Sequence, residues 1–493
     1  MAIGIDFGTT NSAVVYYRNQ LLDEGDERPM PSLVAIDPLT GKTKVGWAAW
    51  KTRRDVEHGS WRVVSSVKLA LSHDRAIAER QGIRLNSTDI SAILFQELRQ
   101  KAEERFGNGR ANEAVVSIPV GLKAGARRRV RIAAKRAGID ILEFISEPTA
   151  AFMACRDQLP DSERVVVFDW GGGTLDVSVL QIEDGTVREL ATAPLLQAGD
   201  VIDELIAAHI HRALKHEEFD RSRLPARDYD RLLVEAESAK CALSDAEETQ
   251  TFLPGYMGGD YKFKLDRRAL TILTEPIIEQ CIKVVIEAIA RARKVGGDAK
   301  IDHIILVGGS SKLWGIGPKL RESFPDVDIF KPGRPAWAVA QGASILAEEL
   351  TSIDKSDSIY RLNHPVYLRL SDGTPLAMVR AGDPFDDKYH RFLLGVVEDT
   401  EHAQLVFAVP DGHHPGILGG APETRAVDFI SVPLQGLPFE KLRLEAMLTR
   451  ELTLAVRLQT EKADPHVKEH WTHWEYEELL FSYQLNNANG RPR

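Results

Sequence analysis

The stretch Ile5-Asp6-Phe7-Gly8-Thr9-Thr10-Asn11-Ser12 and its echo Phe168-Asp169-Trp170-Gly171-Gly172-Gly173-Thr174 decide the reading of this chain. Each leads from apolar residues through an Asp into a Gly/Thr turn and out into a second run, Ala13-Val14-Val15 in one and Leu175-Asp176-Val177 in the other. Such a turn exposes successive backbone N–H groups with no Cβ in the way, and concave donor sets of this kind bind phosphate oxygens. Taken singly, either turn reads as an ordinary hairpin. Two copies with the same Asp placement predict a duplicated domain with a cleft between its halves, rather than a solenoid. Two loops facing one another would grip both sides of a triphosphate tail. Asp6 and Asp169 would repel phosphate directly, yet they suit Mg2+ or its waters, since that ion keeps several waters and uses one or two carboxylates. Asp176, just past the second turn, is a third carboxylate. The loops are not a P-loop: no G-x-x-x-x-G-K-[ST] occurs, and Gly41-Lys42-Thr43 reads as a turn.

Outward from these loops, short apolar strands at 115–118, 165–168, 177–182 and 304–307 alternate with segments of helical spacing around 91–106, 125–137, 200–216, 229–243, 269–293 and 336–350. That alternation predicts an α/β domain up to about residue 350. The strand Ile304-Ile305-Leu306-Val307 ends in Gly308-Gly309-Ser310-Ser311, which would let a flat base or ribose approach the backbone; a plain strand-to-helix connection is the alternative. From Leu362 to Thr460 the texture changes to short strands broken by turns such as Ser371-Asp372-Gly373, the pattern of an all-β domain. Between the two, Ser352 to Ser358 is polar and small, as linkers are. The tail from Ala463 is rich in His and Trp, and Asp464 to Phe481 has room for one short helix.

With 493 residues, 43% of them hydrophobic and 27% charged, the chain reads as a multidomain globular protein with a sizeable core. A net charge of −10 spread along the chain argues against a dedicated nucleic-acid or anionic-membrane binder. The one basic cluster, Arg127, Arg128, Arg129 and Arg131, reads as the solvated face of a helix. Cys155, Cys241 and Cys281 have no metal-ligand spacing and suggest a reducing compartment. The absence of a basic leader or a long apolar run makes the cytoplasm the expected location.

Four motifs together, the two loops, Ser146-Glu147-Pro148-Thr149-Ala150-Ala151 and Val307-Gly308-Gly309-Ser310, resemble the ATPase domain of the heat shock protein 70 (DnaK-type) chaperones over residues 1–350. The wider actin and sugar-kinase superfamily shares the loops. The resemblance implies a duplicated actin-like fold with the nucleotide between two lobes, and hydrolysis of ATP to ADP with Mg2+ and K+. Carried over residue by residue, it implies that Gly8, Thr9, Thr10 and Asn11 contact the phosphates from one side and Gly171, Gly172, Gly173 and Thr174 from the other. Lys68 matches the catalytic lysine, and Glu147 matches the carboxylate that senses Mg2+ and water. Asp6 and Asp169 would hold the metal mostly through water, with Asp176 and Thr174 beside them. Glu237, Lys240 and Ser244 match the adenosine-clasping helix, with Asp200, Gly308, Gly309 and Ser310 completing the nucleotide set. Lys312 stands where the family has an arginine that stacks on adenine, which weakens stacking because lysine is a point charge and not a plane. Pro119 and Arg127 match a relay that passes nucleotide state outward.

The β region, 363–462, resembles the family's substrate-binding sandwich, in which an extended peptide lies in a groove; a sandwich without a groove is the alternative. The resemblance implies a polypeptide client, a J-domain partner and a nucleotide-exchange factor. Three departures bear on these. About thirty residues follow Lys462, too few for the family's helical lid, so the expectation is a short relative with a small tail, 463–493. The apolar interdomain linker is replaced by a polar one, 351–362, and Glu143 reverses a basic charge used for J-domain docking. A nucleotide-switched scaffold serving one dedicated partner is therefore a second reading, and filament formation a third.

Overall fold

The computed structural model describes residues 2–16, 20–21, 28–54, 60–159, 162–215, 219–352, 359–396, 401–410, 424–434, 440–460, 471–477, 479 and 481–484. The chain divides into two compact units, one of residues 1–182 and 190–352 and one of residues 183–189 and 353–493. The expected linker core, 353–358, and the start of the expected tail helix, 464–470, lie outside the described residues.

The first unit is built twice from one plan. In its first lobe the strand Ile3–Phe7 forms a hairpin with Asn11–Tyr16 and, on its other side, pairs in parallel with Glu113–Ile118, which pairs in parallel with Asp140–Ser146. In its second lobe Arg164–Trp170 forms a hairpin with Leu175–Glu183 and pairs in parallel with His303–Val307, which pairs in parallel with Asp328–Phe330. The hairpins are tight because each turn falls between a paired residue set, Phe7 with Ser12 and Trp170 with Leu175. The first strand of each hairpin is almost wholly apolar and buried, as expected of strands covered on both faces, whereas the second mixes in polar residues such as Asn11, Asp176 and Gln181.

Ser87–Phe106 and Ala124–Arg136 contribute to the core beneath the first sheet, together with Phe95, Leu98, Val130 and Phe144. Removing a ring such as Phe144, which is fully buried, would cost about 3–5 kcal/mol. The second lobe's core gathers Val166, Phe168, Val177, Ile206, Leu232 and Ile282. The last helix of the unit, Ala338–Ser352, returns to the first lobe. A Cβ on Gly4 would fall 2.2 Å from Ser344 N, and one on Gly342 1.8 Å from Ala150 O, so both contacts require glycine.

The Arg127 cluster differs from expectation. Arg127 is buried at 4% exposure on the helix Ala124–Arg136, and its guanidinium donates to Leu122 O. Arg129 donates to Leu71 O at 2.6 Å and Arg131 to Ile141 O at 2.7 Å. These three side chains reach main-chain carbonyls and act as clamps, while Arg128 alone stays on the exposed face that the sequence suggested for all four.

The second unit holds two antiparallel four-stranded sheets. One runs Pro375–Val379, Val366–Arg369, His402–Pro410, Thr424–Pro433; the other runs Tyr389–Gly395, Lys441–Leu448, Leu454–Thr460, Thr472–Tyr476. Their inner faces meet where Phe407 of the first stacks on Trp474 of the second, centroids 3.7 Å apart and planes 5° apart. Trp474 donates its indole N–H to Asp428 at 2.7 Å. Thr472–Tyr476, expected within a helix, is thus a strand: Trp474 points inward between the outward His473 and Glu475, a period of two and not of 3.6. Tyr360–Leu362 also forms a strand, paired with Phe481–Gln484, which pairs in turn with Thr186–Arg188. Among the described residues, no helix is long and apolar enough to cross a membrane.

Candidate functional site

A cavity of about 350 Å³ opens between the two lobes of the first unit, and the two Gly/Thr loops form its floor. Their approach is close. A Cβ on Gly172 would fall 2.1 Å from Thr10 Oγ1 and 2.8 Å from Asp200 Oδ1, and one on Gly199 would fall 2.5 Å from Ser310 Oγ. Gly308, at φ +81°, ends the strand His303–Val307 against Trp170 O, where a Cβ would lie only 2.4 Å away. Every expected site residue lines this cavity except Arg127: Asp6, Gly8 to Asn11, Lys68, Pro119, Glu147, Asp169, Gly171 to Thr174, Asp176, Asp200, Glu237, Lys240, Ser244, Gly308 to Ser310 and Lys312. Arg127 sits behind the wall. Its carbonyl partner, Leu122, donates its own N–H to Pro119 O at 3.0 Å, so the proline and the arginine are joined through one turn.

Local sequence explains how the charged groups arrive. Ser146 caps the helix Glu147–Cys155 by accepting from Thr149 N, and Pro148 occupies the first turn, where its missing N–H is harmless. That start puts Glu147 at the positive end of the helix, facing the cavity. Lys68 comes from the one-turn helix Val67–Ala70, entered through Ser66 in the left-handed region at φ +54°. The two meet at 2.6 Å, Lys68 Nζ donating to Glu147 Oε1, with Lys68 only 5% exposed.

Burial alone would lower the pKa of Lys68, but Glu147, Asp6 and Asp169 outweigh it and hold the ammonium above its usual value. The carboxylates show the reverse. Burial, then Glu147, push Asp6 up to about 6, against the pull of Lys68 and a 2.9 Å hydrogen bond from Ser117. Burial and Glu147 likewise push Asp176 up to about 6, and Asp169 is raised well above the ordinary carboxylate range by burial first and its acidic neighbours second. One buried lysine therefore faces an excess of carboxylate, the electrostatic signature of a site that takes a further cation.

The residues fit a nucleotide with a hydrated Mg2+. Thr10 Oγ1 is buried beside the loop floor with no hydrogen-bond partner among the described residues, a donor available to an anion. Asp6, Asp169 and Asp176 line the same cavity, and carboxylates are the donor type that holds an ion which keeps several of its own waters.

At the other end the helix Ala226–Asp245 presents Glu237, Lys240 and Ser244 along one face. Lys240 is anchored by Asp203 at 2.8 Å and by Gly199 O at 3.0 Å. Burial opposes its charge, but Asp203 holds its pKa above the usual lysine value. Sequence reasoning did not single out Asp203, although it lies three residues past Asp200 on the helix Gly199–Lys215. It also missed Arg28, Cys241, Asp245 and Leu313 on the cavity wall, and the helix Trp47–Arg54, which reaches across from the first lobe. From that helix Trp50 donates to Glu237 at 3.4 Å and Arg53 pairs with Asp230 at 3.2 Å. The aromatic pair Trp47 and Trp50, separated by two alanines at helical spacing, was the available signal.

Glu143, expected on a docking face, is a strand residue at 5% exposure that accepts from Phe144 N at 3.1 Å. Met257 and Gly258 form the tip of the hairpin that joins Glu248–Tyr256 to Gly259–Asp266.

A duplicated hairpin lobe, two facing glycine loops and a buried lysine-glutamate pair at the loop floor narrow the field to nucleotide-binding folds of the actin type. A family model described as Hsp70 protein matches residues 42–362, well over half of the chain, including Lys68, Glu147, the second loop and the helix Ala226–Asp245, and so the chain belongs to the Hsp70 family.

Proposed function

We propose that this chain hydrolyses ATP to ADP in the cleft of its first unit, and that the bound nucleotide governs the capture of extended polypeptide by its second unit. Membership of a family of chaperone-type ATPases supports the first half at the level of chemistry. The observation that carries the reading is the convergence of both glycine loops with the Lys68–Glu147 pair on one cavity floor.

In this reading the loop N–H groups and the Thr9, Thr10 and Thr174 hydroxyls hold the phosphate oxygens. Asp6 and Asp169 would hold Mg2+ through its waters, and the ion would supply neutralisation of phosphate charge. Lys68 is oriented by Glu147, so that its ammonium meets the charge that develops on the terminal phosphate. Positioning and fixed electrostatics then supply most of the rate, because phosphoryl transfer asks little covalent chemistry of the protein. Asp176 and Glu147 lie at the same floor and orient the attacking water. Glu237, Lys240 and Ser244 hold the nucleoside.

Steady-state turnover with and without Mg2+, on the wild type and on Lys68→Ala and Thr174→Ala, tests the catalytic half. Turnover that is unchanged in both variants would refute it. Titrating an unfolded model peptide with and without ATP tests the other half: saturable binding weakened by ATP is expected. The polar composition of residues 352–358 favours a second reading, a nucleotide-switched scaffold for one dedicated partner. No peptide binding together with intact ATP turnover would select it.

A further inference from the structure

The nucleoside end of the cleft is braced from outside the cleft. The helix Ala226–Asp245 ends beside the cavity with no basic residue in its last turn, so its final carbonyls lack both intrahelical donors and a compensating charge. Both come from the start of the next helix. Arg267, first residue of Arg267–Gly296, donates from Nε to Leu243 O at 3.0 Å and from Nη2 to Ser244 O at 2.9 Å. The arginine is itself fixed: its backbone N–H donates to Glu247 O at 2.9 Å, and Asp266 caps its helix by accepting from Ala269 N at 2.8 Å.

The face of the same guanidinium lies over Trp314, 3.9 Å from the ring centroid. Trp314 directly follows Lys312 and Leu313, which line the cavity, as do Ser244 and Asp245 on the other strut. One planar cation thus joins the end of the clasping helix to the turn Gly309–Lys312. Edge donors hold two carbonyls while the flat face holds an indole, a combination that lysine cannot reproduce.

We propose that Arg267 is a positioning residue for the nucleoside base: it fixes the separation of Ser244 from Leu313 and hence the slot into which the base fits. The inference rests on the nucleotide reading given above. It explains how the site holds a base although Lys312, at the mouth, has no plane to stack.

The test compares ADP with UDP, which share a ribose diphosphate and differ in the base, by calorimetry on the full chain. Arg267→Lys is expected to weaken ADP about fivefold or more and to change UDP less than about twofold, with kcat at saturating ATP nearly unchanged. Trp314→Leu, at a side chain 42% exposed and so tolerant of change, is expected to act in the same direction by a smaller factor. Equal weakening of ADP and UDP would mark a general structural role and overturn the proposal, as would unchanged ADP affinity in both variants. A wild-type chain that binds neither nucleotide would overturn the nucleotide reading beneath it.

Discussion

The two lobes of the first unit share a strand plan but not a chemistry. Both place an Asp at the end of a strand and a glycine turn after it, Asp6 before Gly8 and Asp169 before Gly171. The first lobe then adds charge, through Lys68 and Glu147, at 2.6 Å and mostly buried. The second adds room beside it, through three consecutive glycines and Gly308, whose missing side chains admit Thr10, Asp200 and Trp170 O, and keeps its own buried pair, Lys240 with Asp203, at the other end of the cavity. Duplication fixed where strand ends converge, and segments that are not duplicated decide what each end does there.

The sharpest way to break that division is in the first lobe. Lys68→Ala should lower kcat by about two to three orders of magnitude while leaving ADP affinity within a few-fold, because its charge matters most in the transition state. It also strands Glu147, which is only 12% exposed, so Glu147→Gln added to it should recover stability, read as thermal midpoint, without recovering rate.

The glycines make the next test. A Cβ on Gly8 would strike Asn11 O of its own turn at 2.1 Å, whereas a Cβ on Gly172 strikes Thr10 across the cleft at the same distance. Gly8→Ala should therefore lower the thermal midpoint of the nucleotide-free chain. Gly172→Ala, which meets side chains rather than backbone, should lower it less and weaken ATP roughly tenfold to a hundredfold, the equivalent of about 1–3 kcal/mol of overpacking, in a binding titration.

Protons supply a third probe. Asp6 and Asp176 titrate near 6 in the fold and near 3.8 without it, so between those values the folded chain holds protons that the unfolded chain has lost. Stability of the nucleotide-free chain should accordingly fall as pH rises through about 4 to 6, in urea unfolding series. For the same reason Mg2+ must displace protons, and affinity for ADP with Mg2+ should drop roughly tenfold from pH 7 to pH 5, more than for ADP alone.

Smaller effects belong to the cross-lobe contacts. Arg53→Ala, which removes an ion pair with Asp230 that is 22% and 23% exposed on its two sides, should speed ADP release by only a few-fold, since such pairs are worth about 1 kcal/mol or less. Smallest of all, Lys312→Arg should tighten ADP by about two- to threefold through a planar stack, measured by fluorescence competition.

The loops were legible because their information is local: a few glycines and threonines beside an Asp state both the turn and its donors. The partnership of Lys68 with Glu147 was not, since 79 residues separate them and only the family resemblance joined them. The clamps made by Arg129 and Arg131 were misread because charge on a helix says nothing about which carbonyl lies within reach. Trp474 was misread for a related reason: aromatic residues clustered in a short segment suit a helix face or a strand equally until the opposing ring, Phe407, is known. Asp203 and Arg267 act through residues that the sequence did mark, Lys240 and Ser244, and that kind of support leaves no motif.

The return of the helix Ala338–Ser352 to the first lobe has a practical consequence. Residues 3–146 make a complete-looking sheet, yet one face of it is closed by a helix supplied nearly two hundred residues later, against Gly4 and the helix Glu147–Cys155. A fragment cut between the repeats would expose that face, so the first lobe is not closed by its own stretch of sequence. The first lobe's sheet is covered on that face only once the chain has been synthesised through Ala338–Ser352.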